Sequence, residues 1–205
     1  MRLAVVGGTG DFGLALAQRL VAAGDDVVIG SRDAERARAK AEEIGARGEE
    51  NARAVADAEL VVLAVKAEAA IATAAALASA LEDKPLLSVA SELRFTKQGV
   101  FPSDEARSIA ERVAEIVPGP VVAGLHSLAA SSLAEGPAEG DALVCGDDDA
   151  AKRLALELAG RVVTGHALDA GPLASARALE GMTAVIVNLN RRYKGHAGLA
   201  VTGLP

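Results

Sequence analysis

The sequence has a single cysteine, few aromatic residues and no long apolar run, and each shortage excludes a class of protein. Cys145 has no second cysteine to pair with, so the chain forms no internal disulfide, and a thiolate metal cluster is not indicated. Aromatic residues make up 2% of the chain, with no tryptophan, which leaves too few rings to stack single-stranded bases. No apolar run reaches the roughly 18 residues that span a bilayer, and the apolar start is too short for a signal peptide. We therefore expect a soluble, cytoplasmic protein without a membrane segment.

The charge balance argues against nucleic acid as a partner. The 205 residues include 21 Lys and Arg against 28 Asp and Glu, a net charge of −7. Such an acidic chain lacks the positive field that non-specific nucleic-acid binding requires. With 51% hydrophobic residues the chain can fill a globular core, and small molecules are the partners that we expect.

Alternating strand and helix patterns predict an α/β fold of the Rossmann type. Short, continuous apolar runs, typical of strands buried on both faces, occur at 2–6, 27–30, 60–65, 86–89 and 121–125. Helical patterns separate them at 11–23, 34–44, 67–81 and 103–117, and a further strand, helix and strand are expected at 142–145, 147–159 and 161–168. This order predicts a doubly wound, mainly parallel sheet with helices on both faces.

The pattern changes after the last predicted strand. A single helix is expected at 173–190, with an apolar stripe made of Met182, Val185, Ile186 and Leu189. We predict a nucleotide-binding Rossmann domain at 1–168 and a small C-terminal helical lobe at 169–205 that closes the cleft. The stripe could pack on the main domain or could form a homodimer interface.

A glycine motif follows the first predicted strand and precedes the first predicted helix. It has the form Gly8-x-Gly10-x-x-Gly13. In dinucleotide-binding folds the first glycine permits a tight turn, the second admits the pyrophosphate, and the third lets helix and strand pack closely. The alternative is a glycine-rich turn without a ligand, but the strand-turn-helix context favours a dinucleotide.

The end of the second predicted strand favours NADP over NAD. NAD-binding folds place a carboxylate there to accept from the ribose hydroxyls, whereas this chain has Ser31 and Arg32. A guanidinium can hold a 2′-phosphate with two hydrogen bonds, and Arg36 lies one helical turn further on. Asp33 is expected to cap the following helix. The alternative is that both arginines only solvate that helix.

No familiar catalytic side-chain pattern is evident, and one histidine is singled out by its place. Tyr193 is the only tyrosine and lacks the lysine four residues later that short-chain dehydrogenases use. The three histidines have no metal-ligand spacing. His126 directly follows the fifth predicted strand, at the sheet edge where ligands bind, so it could contact a substrate or could merely bond the backbone. Cys145 is expected in the core.

Taken as a set, these residues resemble the NADPH-dependent reductases of the deazaflavin coenzyme F420. The shared segments are Gly-Gly-Thr-Gly at 7–10, Gly-Ser-Arg at 30–32, Leu-His-Ser at 125–127, Val-Cys-Gly-Asp-Asp-Asp at 144–149, and Asp-Ala-Gly-Pro-Leu at 169–173 followed by Ser175-x-Arg177. The resemblance implies an oxidoreductase that transfers a hydride directly between C4 of NADP(H) and C5 of the deazaflavin. Such an enzyme works by holding two rings together, without a covalent catalyst.

The resemblance also implies two sets of binding residues. The NADP(H) set is Gly8, Thr9, Gly10, Asp11, Phe12, Gly13, Ser31, Arg32, Arg36, Val65 and Lys66. The set facing coenzyme F420 is His126, Ser127, Leu128, Arg177 and Thr183.

Two segments depart from the family pattern and keep other functions open. Lys66-Ala67 replaces a proline and a large aromatic residue, and Ser91-Glu92 lies where an apolar run is expected, both near the nicotinamide. A less apolar wall fits a flavin- or metal-reducing relative as an alternative enzyme. A non-catalytic NADP-sensing module is the third possibility, and it would have an exposed apolar patch in place of a second ring site.

Overall fold

The computed structural model describes residues 1–204 and consists of alternating strands and helices. The strands are β1 (Arg2–Val6), β2 (Asp26–Ser31), β3 (Arg47–Glu50), β4 (Leu60–Leu63), β5 (Leu86–Ser88), β6 (Leu93–Phe95), β7 (Val100–Pro102), β8 (Val121–Gly124), β9 (Ala142–Gly146) and β10 (Ala167–Asp169). The helices are α1 (Asp11–Ala22), α2 (Ala34–Glu42), α3 (Asn51–Val55), α4 (Ala67–Leu81), α5 (Ile109–Ala114), α6 (Ala130–Glu135), α7 (Asp149–Val162) and α8 (Ala176–Tyr193). Pro205 of the predicted C-terminal lobe lies outside the described residues.

Eight of these strands form one twisted sheet in the order β10-β9-β8-β5-β4-β1-β2-β3. All neighbours are parallel except β8 and β9, which run antiparallel. The fold is therefore Rossmann-like, as predicted. β2 lies on one side of β1 and β4 lies on the other, so the order in which successive strands are added to the sheet reverses at β1. At such a switch point a crevice opens at the carboxyl ends of the strands.

The sheet is buried on both faces because helices cover each side. Along β1, Leu3 and Val5 point into one apolar core, whereas Ala4 and Val6 point into the other. All four are at most 1% exposed. This double burial explains why the central strands have no alternation of polar and apolar residues.

Two elements beside β2, the strand β3 and the short helix α3, were not predicted from the sequence. The edge strand β3 has the sequence Arg-Gly-Glu-Glu, and its charged residues lie at the solvent-facing border of the sheet, so it carries no apolar signal. A Cβ on Gly48 would overlap the backbone of Ala37, so α2 packs directly against this strand.

The segment before α5 also differs from the prediction. Instead of a helix starting at 103, β6 and β7 form an antiparallel hairpin, and α5 begins at Ile109. Ser108 caps this helix, since its hydroxyl accepts from the Glu111 N–H while the Glu111 carboxylate accepts from the Ser108 N–H.

The end of the sheet is shifted relative to the prediction. The predicted strand 161–168 is wrong at its start, because Arg161 and Val162 complete the last turn of α7. The strand is the short β10, which pairs with β9.

The final helix, α8, packs against the strands β7, β8 and β9. Its predicted apolar stripe is divided between core and surface: Ile186 is 7% exposed, whereas Val185 and Leu189 are 57% and 38% exposed. In the described part of the chain, neither α8 nor any other helix combines the length and apolar character needed to cross a bilayer.

Candidate cofactor-binding cleft

A cavity of about 350 Å³ lies in the crevice at the carboxyl edge of the sheet. Its walls come from the loops after β1, β4, β5 and β8 and from one residue of α8. The lining residues are 10–12, 64–67, 89–91, 93, 125, 126, 128 and 183. The fold thus brings together segments that are far apart in sequence at the place where open α/β sheets bind ligands.

The glycine loop between β1 and α1 is shaped by backbone contacts. Gly7, with φ of +83°, takes the left-handed conformation, and the Gly8 N–H donates to the Val5 carbonyl over 3.1 Å. The left-handed conformation in this turn therefore belongs to Gly7 and not to Gly8. Gly8 is confined by packing instead, since a Cβ there would lie 2.8 Å from both Ile29 and the Val5 carbonyl oxygen.

The other two glycines of the motif differ in how closely they are packed. A Cβ on Gly13 would lie 2.6 Å from the Gly7 carbonyl oxygen, so this glycine allows α1 to pack directly on the loop. A Cβ on Gly10 would meet only the Gly7 oxygen, at 3.4 Å, so the backbone at Gly10 is open to a ligand. No side chain among residues 1–204 caps α1, and its first-turn N–H groups can therefore hold an anion.

Ser31 and Arg32 lie beside this loop because β2 pairs with β1. The Gly7 N–H donates to the Gly30 carbonyl over 3.1 Å, so Ser31 lies next to the glycine turn. Asp33 caps α2 as predicted, accepting from the N–H groups of Glu35 and Arg36 at 3.0 and 3.1 Å. This cap leaves the guanidinium groups of Arg32 and Arg36 exposed, and neither forms an ion pair with any described residue.

His126 forms the opposite wall of the cavity, in a strained turn after β8. Leu125, which precedes it, has φ of +65°, unusual for a residue with a side chain, and is itself buried. The His126 Nδ1 lies 3.2 Å from the Ser91 hydroxyl, and that hydroxyl lies 2.8 Å from the hydroxyl of Thr183. Thr183 in turn donates to the His126 carbonyl over 2.8 Å.

Burial sets the charge of this histidine. His126 is 6% exposed, and burial lowers the pKa of its imidazole from 6.5 to about 4, so the ring is neutral near pH 7. Its Nε2 is shielded from solvent and has no hydrogen-bond partner among the described residues. A buried polar atom of this kind is costly unless something supplies a partner.

Eight of the 16 predicted site residues line the cavity, and Ser127, Arg177 and Thr9 are among those that do not. Ser127 is buried behind the wall, where its hydroxyl donates to the Asp141 carbonyl over 3.3 Å. Arg177 on α8 donates to the carbonyls of Ser103 and Glu105 at 2.7 and 3.0 Å, and so fastens the loop before α5. Thr9 lies on the glycine loop, half-buried and outside the cavity lining.

The two departures from the family pattern take different positions. Lys66 occupies the N-cap position of α4 at the cavity rim, but its side chain makes no capping hydrogen bond; it is exposed and forms no ion pair in the part of the chain that the structure describes. Glu92 is turned away from the cavity, because its Oε2 accepts from the Ser103 hydroxyl at 3.1 Å and from Arg112 at 2.9 Å. The wall near Glu92 is thus less polar than the sequence suggests.

Ser91 is a functional candidate that the site prediction missed. It follows β5 at the same sheet edge as the residues after β1 and β4, and its sequence signals were this position and its departure from the family pattern. Its contacts with His126 and Thr183 depend on tertiary packing.

The remaining histidines and the cysteine lie outside the cleft. His196 contacts the Ser131 hydroxyl at 2.8 Å through Nδ1, and His166 lies beside Asp141. Cys145 is buried as predicted, and burial raises the pKa of its thiol to about 12. Across residues 1–204 no three histidine, cysteine or carboxylate side chains gather as metal ligands would.

Comparison with known proteins points to one family. The model of the family described as NADP oxidoreductase, coenzyme F420-dependent, matches residues 2–92. An F420-dependent NADP reductase from Methanothermobacter marburgensis is 35% identical to this chain and is aligned over 100% of both chains. The F420-dependent NADP reductase from Methanocaldococcus jannaschii is 33% identical over 100% of this chain and 99% of its own. A crystal structure of a putative F420-dependent NADP reductase from Arthrobacter sp. FB24 superimposes with a TM-score of 0.84 at 28% identity, covering 99% and 100% of the two chains.

Proposed function

The chain belongs to the family of F420-dependent NADP reductases, and from this premise we propose that it transfers a hydride directly between NADP(H) and coenzyme F420. One observation carries the proposal beyond family membership. A single cavity is bounded on one side by an uncapped helix N-terminus behind a glycine loop, and on the other by a buried histidine whose Nε2 has no protein partner. The first feature suits a dinucleotide, and the second suits a ring with its own polar edge.

The NADP(H) side rests on the loops after β1, β2 and β4. The backbone around Gly8, Gly10 and Gly13, with Thr9, Asp11 and Phe12, holds the pyrophosphate at the start of α1. Ser31, Arg32 and Arg36 bind the 2′-phosphate, and both guanidinium groups are free to do so because they have no ion pair within residues 1–204. Val65 and Lys66 then border the nicotinamide.

The deazaflavin side rests on the loops after β5 and β8 and on α8. His126, Leu128 and Thr183 line the cavity and face the ring. Ser127 and Arg177 act from behind, because their hydrogen bonds fix the wall and the neighbouring loop. This division revises the roles that the family resemblance suggests for these two residues.

Catalysis in this site depends on position and on exclusion of water. Bound NADPH supplies the hydride from C4 of the nicotinamide, and C5 of the deazaflavin accepts it. The protein contributes two facing walls that keep the rings in contact, and apolar side chains such as Val65, Val89 and Leu128 keep water out of the space between them. A histidine that is neutral at pH 7 adds no net charge to the transfer.

We further propose how the chain is organised in the cell. Residues 1–168 serve as the NADP-binding domain, and 169–205 form the lobe that closes the cleft. The exposed apolar side chains of Val185 and Tyr193, with Phe95 on the neighbouring hairpin, suit a homodimer interface with a second copy in the cytoplasm. Measurement of the solution mass of the wild type and of Tyr193→Asp tests the dimer, since a monomeric wild type contradicts it.

A spectroscopic assay tests the proposed reaction. Purified protein is mixed with NADPH and oxidised coenzyme F420, and loss of the deazaflavin's visible absorbance is followed. Rapid bleaching with NADPH and slow bleaching with NADH are expected. Parallel reactions replace coenzyme F420 with FMN or a ferric chelate. Turnover only in those reactions indicates a flavin or metal reductase, and NADPH binding without any turnover indicates a sensor, so either result overturns the proposal.

A further inference from the structure

Ser91, His126 and Thr183 form a closed ring of hydrogen bonds in the cavity wall. The ring runs from the His126 imidazole to Ser91 (3.2 Å), from Ser91 to Thr183 (2.8 Å), and from Thr183 back to the His126 carbonyl (2.8 Å). Its members come from the loop after β5, the loop after β8 and helix α8. The ring therefore joins three separate parts of the cleft.

Counting protons around the ring fixes the direction of each bond. A carbonyl oxygen can only accept, so the single hydroxyl proton of Thr183 is directed to the His126 carbonyl. Ser91 then has to donate to Thr183, which uses its own single proton. The remaining contact can form only if the His126 Nδ1 carries a proton and donates it to Ser91.

The opposite arrangement is less favourable. If Nε2 carried the proton, Ser91 would donate to Nδ1 and Thr183 to Ser91, and the bond to the His126 carbonyl would be lost. That arrangement makes two hydrogen bonds instead of three, and it buries an N–H donor without a partner at Nε2. In the first arrangement the unpartnered Nε2 is a lone pair. The low pKa of the ring keeps it neutral, so only one nitrogen is protonated at pH 7.

We propose that Ser91 is a positioning residue that, together with Thr183, holds His126 in the Nδ1–H tautomer, so that Nε2 accepts a hydrogen bond from an amide-type N–H of a bound ring. The ligand part of this proposal rests on the proposed function. Two ring systems in that reaction offer such a donor: the imide of the deazaflavin and the carboxamide of nicotinamide. Because Nε2 is shielded from solvent, a side chain of the wall has to move before the donor reaches it.

The tautomer can be measured without any ligand. Long-range ¹⁵N–¹H NMR of the histidine rings distinguishes a protonated from an unprotonated ring nitrogen, and the chain has only three histidines to assign. At pH 7 we expect His126 to show a protonated Nδ1 and an unprotonated Nε2. The Nε2–H form in the wild type would overturn the proposal.

Substitutions separate the positioning role from a structural one. Ser91→Ala and Thr183→Val should each release the tautomer, whereas Ser91→Thr should retain it. Ser131→Ala is the matched control, because it removes a serine contact to the Nδ1 of His196, and neither residue lines the cavity. If His126 remains in the Nδ1–H form in Ser91→Ala, Ser91 does not position it.

Kinetics give the second measurement. With Nε2 no longer an acceptor, Ser91→Ala should raise the KM of the affected substrate by about tenfold, the equivalent of one hydrogen bond, with a smaller effect on kcat. Ser91→Thr should restore the KM, and Ser131→Ala should leave it unchanged. An unchanged KM in Ser91→Ala would refute the acceptor role.

Adding one ligand at a time identifies the donor. A change in the Nε2 resonance with oxidised coenzyme F420 alone assigns the deazaflavin imide, and a change with NADP⁺ alone assigns the nicotinamide carboxamide. No change with either ligand bound overturns the acceptor role. If the Nδ1–H form is found but coenzyme F420 is not reduced, the proposed function fails while the positioning of His126 stands, so the two failures are distinguishable.

Discussion

Two buried ionisable groups are predicted to give this protein an unusually flat dependence of stability on pH. His126 is 6% exposed and Glu180 on α8 is 2% exposed. Burial lowers the pKa of His126 from 6.5 to about 4 and raises the pKa of Glu180 from 4.5 to about 7. The N–H groups at the start of α5, with Arg177 and Arg112, partly oppose the shift at Glu180.

The two shifts act on stability with opposite signs. The contribution of neutral His126 is complete above pH 6.5 and is lost as the pH falls towards 4, because the unfolded chain takes up a proton that the folded chain refuses. The contribution of protonated Glu180 is complete below pH 4.5 and is lost as the pH rises towards 7. Between pH 4.5 and 6.5 the folded and unfolded states therefore bind the same number of protons at these two sites, and their effects cancel.

Removing one group should expose the other. One proton corresponds to about 1.4 kcal/mol per pH unit. In Glu180→Gln, the free energy of unfolding should thus rise by about 3 kcal/mol from pH 4.5 to 6.5, equivalent to a rise in Tm of roughly 6–12 °C for a chain of this size. In His126→Asn it should fall by a similar amount over the same range, and the double variant should again be flat.

Urea unfolding at half-unit steps from pH 4.5 to 6.5 measures these slopes. Asp141 and Asp169, whose pKa values are lowered by hydrogen bonds, titrate below this range and do not contribute. Glu68→Gln, which removes an exposed carboxylate from α4, is the control. A flat profile for Glu180→Gln, or a steep one for the wild type, would refute the assignment of opposing buried groups.

Three further predictions concern the glycine loop, the arginines and the cysteine. Arg32→Ala and Arg36→Ala should each raise the KM for NADPH by roughly 10–100-fold, the equivalent of charge-assisted hydrogen bonds, and should change the KM for NADH little. Arg38→Ala, which removes an exposed arginine, is the control. An equal rise in KM for both coenzymes would contradict 2′-phosphate binding. Gly13→Ala should lower the free energy of unfolding in urea by about 1–3 kcal/mol, because its Cβ would overlap the loop backbone. Gly10→Ala should weaken NADP binding with little loss of stability. Equal losses of stability in the two variants would argue against this distinction. Cys145, whose thiol pKa is raised to about 12 by burial, should react with Ellman's reagent at pH 8 only after unfolding, and rapid reaction of the native protein would refute its burial.

Elements with a strong local signal could be predicted from the sequence. The strand β1 and the alanine-rich helix α4 have the predicted bounds, because a continuous apolar run and high helix propensity each determine one structure. The edge strand β3 and the β6–β7 hairpin have no such signal. Both contain charged and turn-forming residues, and they become strands only through the elements that they pack against. The helix α5 begins later than the predicted residue 103 because the capping box at Ser108 determines its start.

The same distinction between local and tertiary signals divides the candidate site. Most of its nucleotide half is local in sequence, since the glycine loop, Arg32 and Arg36 lie within 30 residues of one another and follow two adjacent strands. Its ring half joins Ser91, His126 and Thr183, which are separated by as many as 92 positions. Those contacts exist only because β5 pairs with β8 and because α8 brings Thr183 against the loops that follow these two strands. A resemblance could indicate that His126 and Thr183 belong together, but the direction of their hydrogen bonds, and with it the acceptor at Nε2, follows only from the packed arrangement.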